Sequence, residues 1–121
     1  MSDSNFYRVQ SKERETKIVH AEVAIGASGA PTITSAKGVA SIVRNSAGDY
    51  TVTLSERYSR VLSMSVLLKA AAAEDLTSQL VSETVASTKT INFLTLAAAV
   101  ATDPSNGASL FIRLELKNSD I

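Results

Sequence analysis

Apolar and polar positions alternate with a period of two along most of this chain, most clearly across residues 39–54. Val39, Ser41 and Val43 alternate with Ala40, Ile42 and Arg44. Asn45-Ser46-Ala47-Gly48 then interrupts the run, after which Tyr50, Val52 and Leu54 alternate with Thr51 and Thr53. Period-two spacing on both sides of a short Asn/Ser/Gly break predicts a β-hairpin. Successive side chains of a strand point to opposite faces, so Tyr50, Val52 and Leu54 are expected to line one buried face. Gly48 supplies the positive φ that such a turn needs.

The same pattern predicts the other elements. Residues 17–25 read as a strand with Val19, Ala21, Val23 and Ile25 on one face and His20 and Glu22 on the other. Two glycines and a proline make residues 26–31 a loop, and residues 32–35 a short strand. Leu62, Met64, Val66 and Leu68 alternate along a further strand. Its second face turns apolar at Leu67, which predicts that this end is covered on both sides. The alanines of residues 70–73 favour helix, but Thr77, Ser78, Val81, Thr84 and Val85 do not. The expectation is a loop with one helical turn at most, then a strand over 77–86. Residues 87–89 are a turn. Residues 90–96 form a strand with Ile91 and Phe93 opposite Asn92, Leu94 and Leu96. Residues 97–109 are a long loop built around Asp103-Pro104-Ser105-Asn106-Gly107, which is strong turn chemistry. Residues 110–116 close the chain as a strand, with Leu110, Ile112, Leu114 and Leu116 in and Arg113 and Glu115 out.

Seven or eight short, closely spaced strands predict an all-β fold, an antiparallel β-sandwich with a small barrel as the second choice. Residues 1–16 have no period, and Phe6, Tyr7 and Val9 are their only sizeable apolar groups after Met1. They read as an N-terminal arm before a sandwich domain over 17–121, able to order on a neighbouring subunit through Phe6 and Tyr7.

Composition narrows the function classes. A chain of 121 residues fits a single core. Twelve basic and twelve acidic residues balance, which argues against a nucleic-acid partner. There is no cysteine, which rules out disulfides, thiolate zinc sites and cysteine nucleophiles. The polar N-terminus lacks the apolar core of a signal peptide. The longest apolar run, residues 94–101, falls far short of the roughly 20 residues that a membrane helix needs, so no membrane partner is expected. Frequent alanine and serine bury little apolar area per residue, which favours stabilisation by association.

Candidate chemistry changes little. His20 is the single histidine, and its nearest carboxylate by pattern, Glu22, shares a strand face that is expected to be solvated. Glu74-Asp75, and Asp103 with Asn106, are the only candidate calcium ligands, and neither has the dense acidic spacing of a calcium loop. No Gly-x-Ser-x-Gly elbow and no phosphate-binding loop is present. Tyr50 reads as packing; Tyr58, in the polar connection of residues 55–60, is open to a contact role. No catalytic residue, metal or cofactor is expected, and the chain reads as a non-enzyme.

Residues 37–66, KGVASIVRNSAGDYTVTLSERYSRVLSMSV, and residues 101–120, ATDPSNGASLFIRLELKNSD, resemble the small β-sandwich virion proteins of tailed bacteriophages, the capsid decoration or cement proteins and related head-fibre or tail-associated domains. The match lies at Arg44, Gly48, Tyr50, Thr53, Leu54, Tyr58, Asp103, Pro104, Gly107, Leu114, Asn118 and Ser119. The resemblance implies a binding role without enzymatic activity. The chain would be a homotrimer, made in the host cytoplasm, that sits on the outer capsid surface at junctions of the major capsid protein. The alternative is a head-fibre or tail domain that reads host glycans through loops such as 97–109. The expected partner-contact residues are Phe6, Tyr7, Arg8, Arg14, Tyr58, Asp103 and Asn106.

Overall fold

A computed structural model describes residues 16–117. Nine strands follow one another: β1 (Thr16–Ile25), β2 (Pro31–Lys37), β3 (Val39–Ser46), β4 (Asp49–Leu54), β5 (Arg60–Lys69), β6 (Thr77–Thr84), β7 (Thr90–Ala97), β8 (Val100–Ala101) and β9 (Ser109–Lys117). A single 3₁₀ turn, Ala27–Gly29, lies between β1 and β2. All pairings are antiparallel. One sheet has the order β2-β1-β9-β5; the other has the order β3-β4-β7-β6, with β8 added beside β7. The fold is the all-β sandwich that the alternation predicts.

The core is the sum of the inward rows. Val19, Ala21, Val23 and Ile25 of β1 and Leu110, Ile112, Leu114 and Leu116 of β9 come from the first sheet. Tyr50, Val52 and Leu54 of β4 and Ile91 and Phe93 of β7 face them from the second. At roughly 1.5–3 kcal/mol for each fully buried large aliphatic or aromatic side chain, these four central strands supply most of the hydrophobic stabilisation.

Three expectations change. The 97–109 loop contains a small hairpin, because β8 pairs back on β7 with Leu96 opposite Ala101. Its turn residues, Ala98 and Ala99, have φ of 51° and 66°, left-handed values that carry no signal when alanine occupies them. Leu67 is not covered: it is 67% exposed on the outer side of β5. The inward residues of β3 also differ from strict alternation. A bulge between Val39 and Ser41 sets Val39 opposite Leu54, Ile42 opposite Val52 and Arg44 opposite Tyr50. One extra residue in a strand reverses the facing of everything after it. The bulge therefore turns Ile42 and Arg44 toward the inner side, which alternation from Val39 assigns to Ser41 and Val43.

The two sides of the sandwich are unlike. On one side β2 runs through Gly38 directly into β3, so the chain itself closes the gap between the sheets. On the other side lie β5 and β6, each at the end of its sheet among the described residues.

Candidate functional site

The inward turn of Arg44 builds a polar knot at one end of the sandwich. Arg44 donates from Nε to Asp103 Oδ1 at 2.9 Å and from Nη2 to Asp103 Oδ2 at 2.8 Å. This forked pairing is the geometry that guanidinium and carboxylate share. The Gly48 N–H donates to Asp103 Oδ1 at 2.8 Å. The Tyr50 hydroxyl donates to the Gly29 carbonyl at 2.8 Å, with Asp103 Oδ1 3.5 Å from the same oxygen. The carboxyl group packs directly on Gly29, where an added Cβ would sit 2.4 Å from Asp103 Cγ. Three segments distant in sequence thus meet at one carboxylate: the β3–β4 hairpin, the 26–30 loop and the 102–108 loop that carries it.

The electrostatics follow from the contacts. Hydrogen bonds from Arg44 first, then from Gly48, hold the Asp103 carboxyl below its ordinary value against the opposing effect of burial. Burial, then the Asp103 charge, pushes the Tyr50 phenol up to about 12. A carboxyl whose folded value is depressed contributes stability above its unfolded value, and that contribution is lost as pH falls through the folded value. Melting wild type beside Asp103→Asn from pH 6 down to pH 2 should show a constant difference above about pH 5. That difference should narrow below the ordinary value of 3.8. A gap that does not change with pH would mean that the ion pair adds nothing to folding.

Asp103, expected as a contact residue, is committed to Arg44 and Gly48. Tyr58, another expected contact residue of the described loops, lies in the core. It is 7% exposed and belongs to the core cluster, with its backbone N–H donating to the Val85 carbonyl. Its setting in a polar connection hides this, because strand alternation does not reach it. Asn106 is exposed at the tip of its loop. Phe6, Tyr7, Arg8 and Arg14 lie outside the described residues. Among the described residues no group of three or more His, Asp or Glu side chains is placed to hold a metal ion.

The surface that does offer contacts is the outer face of the first sheet, whose His20–Glu22 part the alternation reading took as solvated and whose Leu67 end it took as covered. Cross-strand register sets Glu22 and Leu67 on either side of Phe111, and His20 and Ser65 on either side of Arg113. Together with Ser35 they line a shallow depression of about 440 Å³. Phe111 and Leu67 are 37% and 67% exposed, and Ile18 on the same face is 51% exposed. Glu115 rims this patch, accepting a hydrogen bond from Ser63 at 2.7 Å and lying 3.6 Å from the Arg113 guanidinium. The signal in the sequence is small but readable: Leu67 and Phe111 are large apolar residues at outward parity in strands whose inward rows are already apolar.

No family model matches the chain, and neither the curated proteins nor the solved structures compared with it give a significant match.

Proposed function

We propose that this chain is a structural protein of the virion that decorates and stabilises a bacteriophage capsid, docking on the major capsid protein through the outer face of the β2-β1-β9-β5 sheet. The observation that carries the reading is the exposed Phe111–Leu67 pair, flanked by Ile18 and rimmed by Glu22, Arg113 and Glu115. An apolar centre inside a charged rim is the anatomy of a protein-docking surface. The resemblance at Arg44, Gly48, Tyr50 and Asp103 supplies the class of partner. The face belongs to paired strands and not to loops, so binding it costs little ordering entropy. A homotrimer on a repeated lattice would multiply a modest affinity per subunit.

The test uses purified capsids stripped of this protein and re-bound with it. Phe111→Glu combined with Leu67→Glu should lower occupancy at a fixed concentration about tenfold or more, equivalent to at least about 1.4 kcal/mol per site. Both side chains are exposed, so the variant should keep its fold, and a melt checks this. Wild-type occupancy by the variant would remove this face from the contact. Copy number decides the wider reading. On the order of hundreds of copies per virion fits decoration of a lattice, whereas a few copies would point to the fibre or tail alternative.

A further inference from the structure

The outer face of the β2-β1-β9-β5 sheet carries a row of basic side chains beside its apolar depression. Register places Lys37 of β2 opposite His20 of β1, His20 opposite Arg113 of β9, and Arg113 opposite Ser65 of β5. Directly opposite residues of a sheet share a face, so the three basic groups stand side by side, about 4.8 Å per strand. Basic and acidic residues balance over the whole chain, which makes this row a local excess. Among the described residues the side chains of Lys37 and His20 form no hydrogen bond or ion pair. Arg113 approaches Glu115 at 3.6 Å, beyond hydrogen-bond length, and Glu115 already accepts from Ser63 at 2.7 Å. The ammonium, the imidazole and the guanidinium all donate hydrogen bonds, and the fold leaves these donors facing outward.

We infer, resting on the docking role proposed for this face, that the row and the depression together take an extended segment of the partner protein in which an aspartate or glutamate stands two positions from a large apolar residue. The spacing is right. Phe111 lies two residues from Arg113 along β9, and Leu67 two residues from Ser65 along β5. Two residues of a strand span roughly 6.6 Å, so the basic row and the apolar pair are that far apart. Side chains two positions apart in an extended segment share a face at the same spacing. The segment's carboxylate therefore sits over His20 and Arg113 while its apolar side chain enters the depression beside Phe111 and Leu67. The depression, about 440 Å³, falls within the roughly 300–1,000 Å³ common for ligand sites.

The charges also fix where the carboxylate lies. Glu22 stands opposite Phe111 on one side of the row, and Glu115 stands two residues beyond Arg113 on the other. An acidic side chain displaced along the strands in either direction meets one of these carboxylates, and like charges repel. Only the row between them accepts it, with the guanidinium–carboxylate pairing that gives both strength and orientation. A basic residue at the same position of the segment meets Lys37 and Arg113 instead, which is rejection by repulsion. Because the row is on the surface, it acts on encounter and selection more than on total affinity, and salt weakens it. The apolar contact supplies the hold.

The test follows amide signals of the full ¹⁵N-enriched chain while two capped peptides are added, Ser-Glu-Thr-Leu-Ser and the same peptide with lysine in place of glutamate. The glutamate peptide should shift the signals of Lys37, His20, Phe111 and Arg113 and bind about tenfold or more tightly than the lysine peptide. The difference should shrink as salt rises from about 50 to about 500 mM. Lys37→Glu with Arg113→Glu should reverse the preference. Lys37→Gln with Arg113→Gln, the milder change should charge reversal unfold the sheet, should abolish it. Equal binding of the two peptides, binding of neither, or an unchanged preference in the variants overturns the inference. So does a shift of the same signals on concentrating the chain alone, which assigns the face to a second copy. Displacement of the glutamate peptide by equimolar inorganic phosphate likewise overturns it and assigns the row to a phosphate ligand. Capsid occupancy reports separately. A glutamate preference with full occupancy by the Phe111→Glu, Leu67→Glu variant removes the capsid contact and keeps the recognition chemistry. Lost occupancy with equal peptide binding keeps the capsid contact and overturns the chemistry.

Discussion

Tyr50→Ala is expected to destabilise the fold by about 3–5 kcal/mol, the range for removing a buried large aromatic ring. At roughly 4 °C per kcal/mol for a domain of this size, the midpoint should fall by about 10–20 °C. The ring is fully buried and stacks on Phe93 with centroids 5.7 Å apart, so its removal opens a cavity at the centre of the second sheet. The hydroxyl adds a separable part. It donates to the Gly29 carbonyl at 2.8 Å, so Tyr50→Phe should cost only about 1 kcal/mol. Calorimetric or optical melts of the two variants partition the effect. Equal losses would mean that the hydrogen bond, and not the ring, holds the sheet, and a small loss in both would place Tyr50 outside the core.

Gly48→Ala is expected to cost about 2–5 kcal/mol in total, from two sources. Gly48 has φ of +68°, and an added Cβ would lie 2.4 Å from the Thr102 nitrogen and 2.6 Å from the Thr95 carbonyl oxygen. The left-handed backbone alone costs an L-residue roughly 1–2 kcal/mol. Displacing packed backbone adds about 1–3 kcal/mol. Gly107→Ala provides the comparison, since φ there is +92° but nothing lies within 4 Å of the added carbon. It should show the backbone cost alone. Chemical denaturation of both variants measures the difference, and equal losses would show that contact with Thr95 and Thr102 contributes nothing. The site is sensitive because Gly48 also donates to Asp103 and accepts from the Thr95 N–H at 2.8 Å each. Moving this turn therefore disturbs the knot and the β7–β8 hairpin together.

The inward rows were legible in the sequence because they depend only on local alternation. β1, β4 and β9 bury the residues that the period of two assigns to them, and residues 70–76 form a loop before β6 despite their alanines, as the weak helix formers that follow from Thr77 suggest. What was not legible depends on register or on distant partners. Arg44 faces Asp103 only because a bulge near Val39 resets the parity of β3. Asp103 looked like an accessible loop carboxylate, since nothing within a few residues of it announces an arginine 59 positions earlier. Tyr58 sits in a segment without period, so its burial could not be read from spacing. Leu67 and Phe111 were visible as breaks in alternation, but their adjacency comes from the pairing of β5 with β9.

By itself the sequence determines an all-β chain with one core, the identity of most inward residues, and the absence of any cysteine chemistry. These follow from the two-residue repeat of a strand and from composition, both of which act locally. The tertiary structure alone decides three things: that the β3–β4 hairpin, Gly29 and Asp103 close into one knot, that β2 and β3 close one side of the sandwich while β5 and β6 end their sheets on the other among the described residues, and that Phe111 meets Leu67 on an outer face. Each depends on which strands become neighbours and in what register. Those choices are made by pairing and packing between segments far apart in the chain, where a single bulge reverses every facing that follows it.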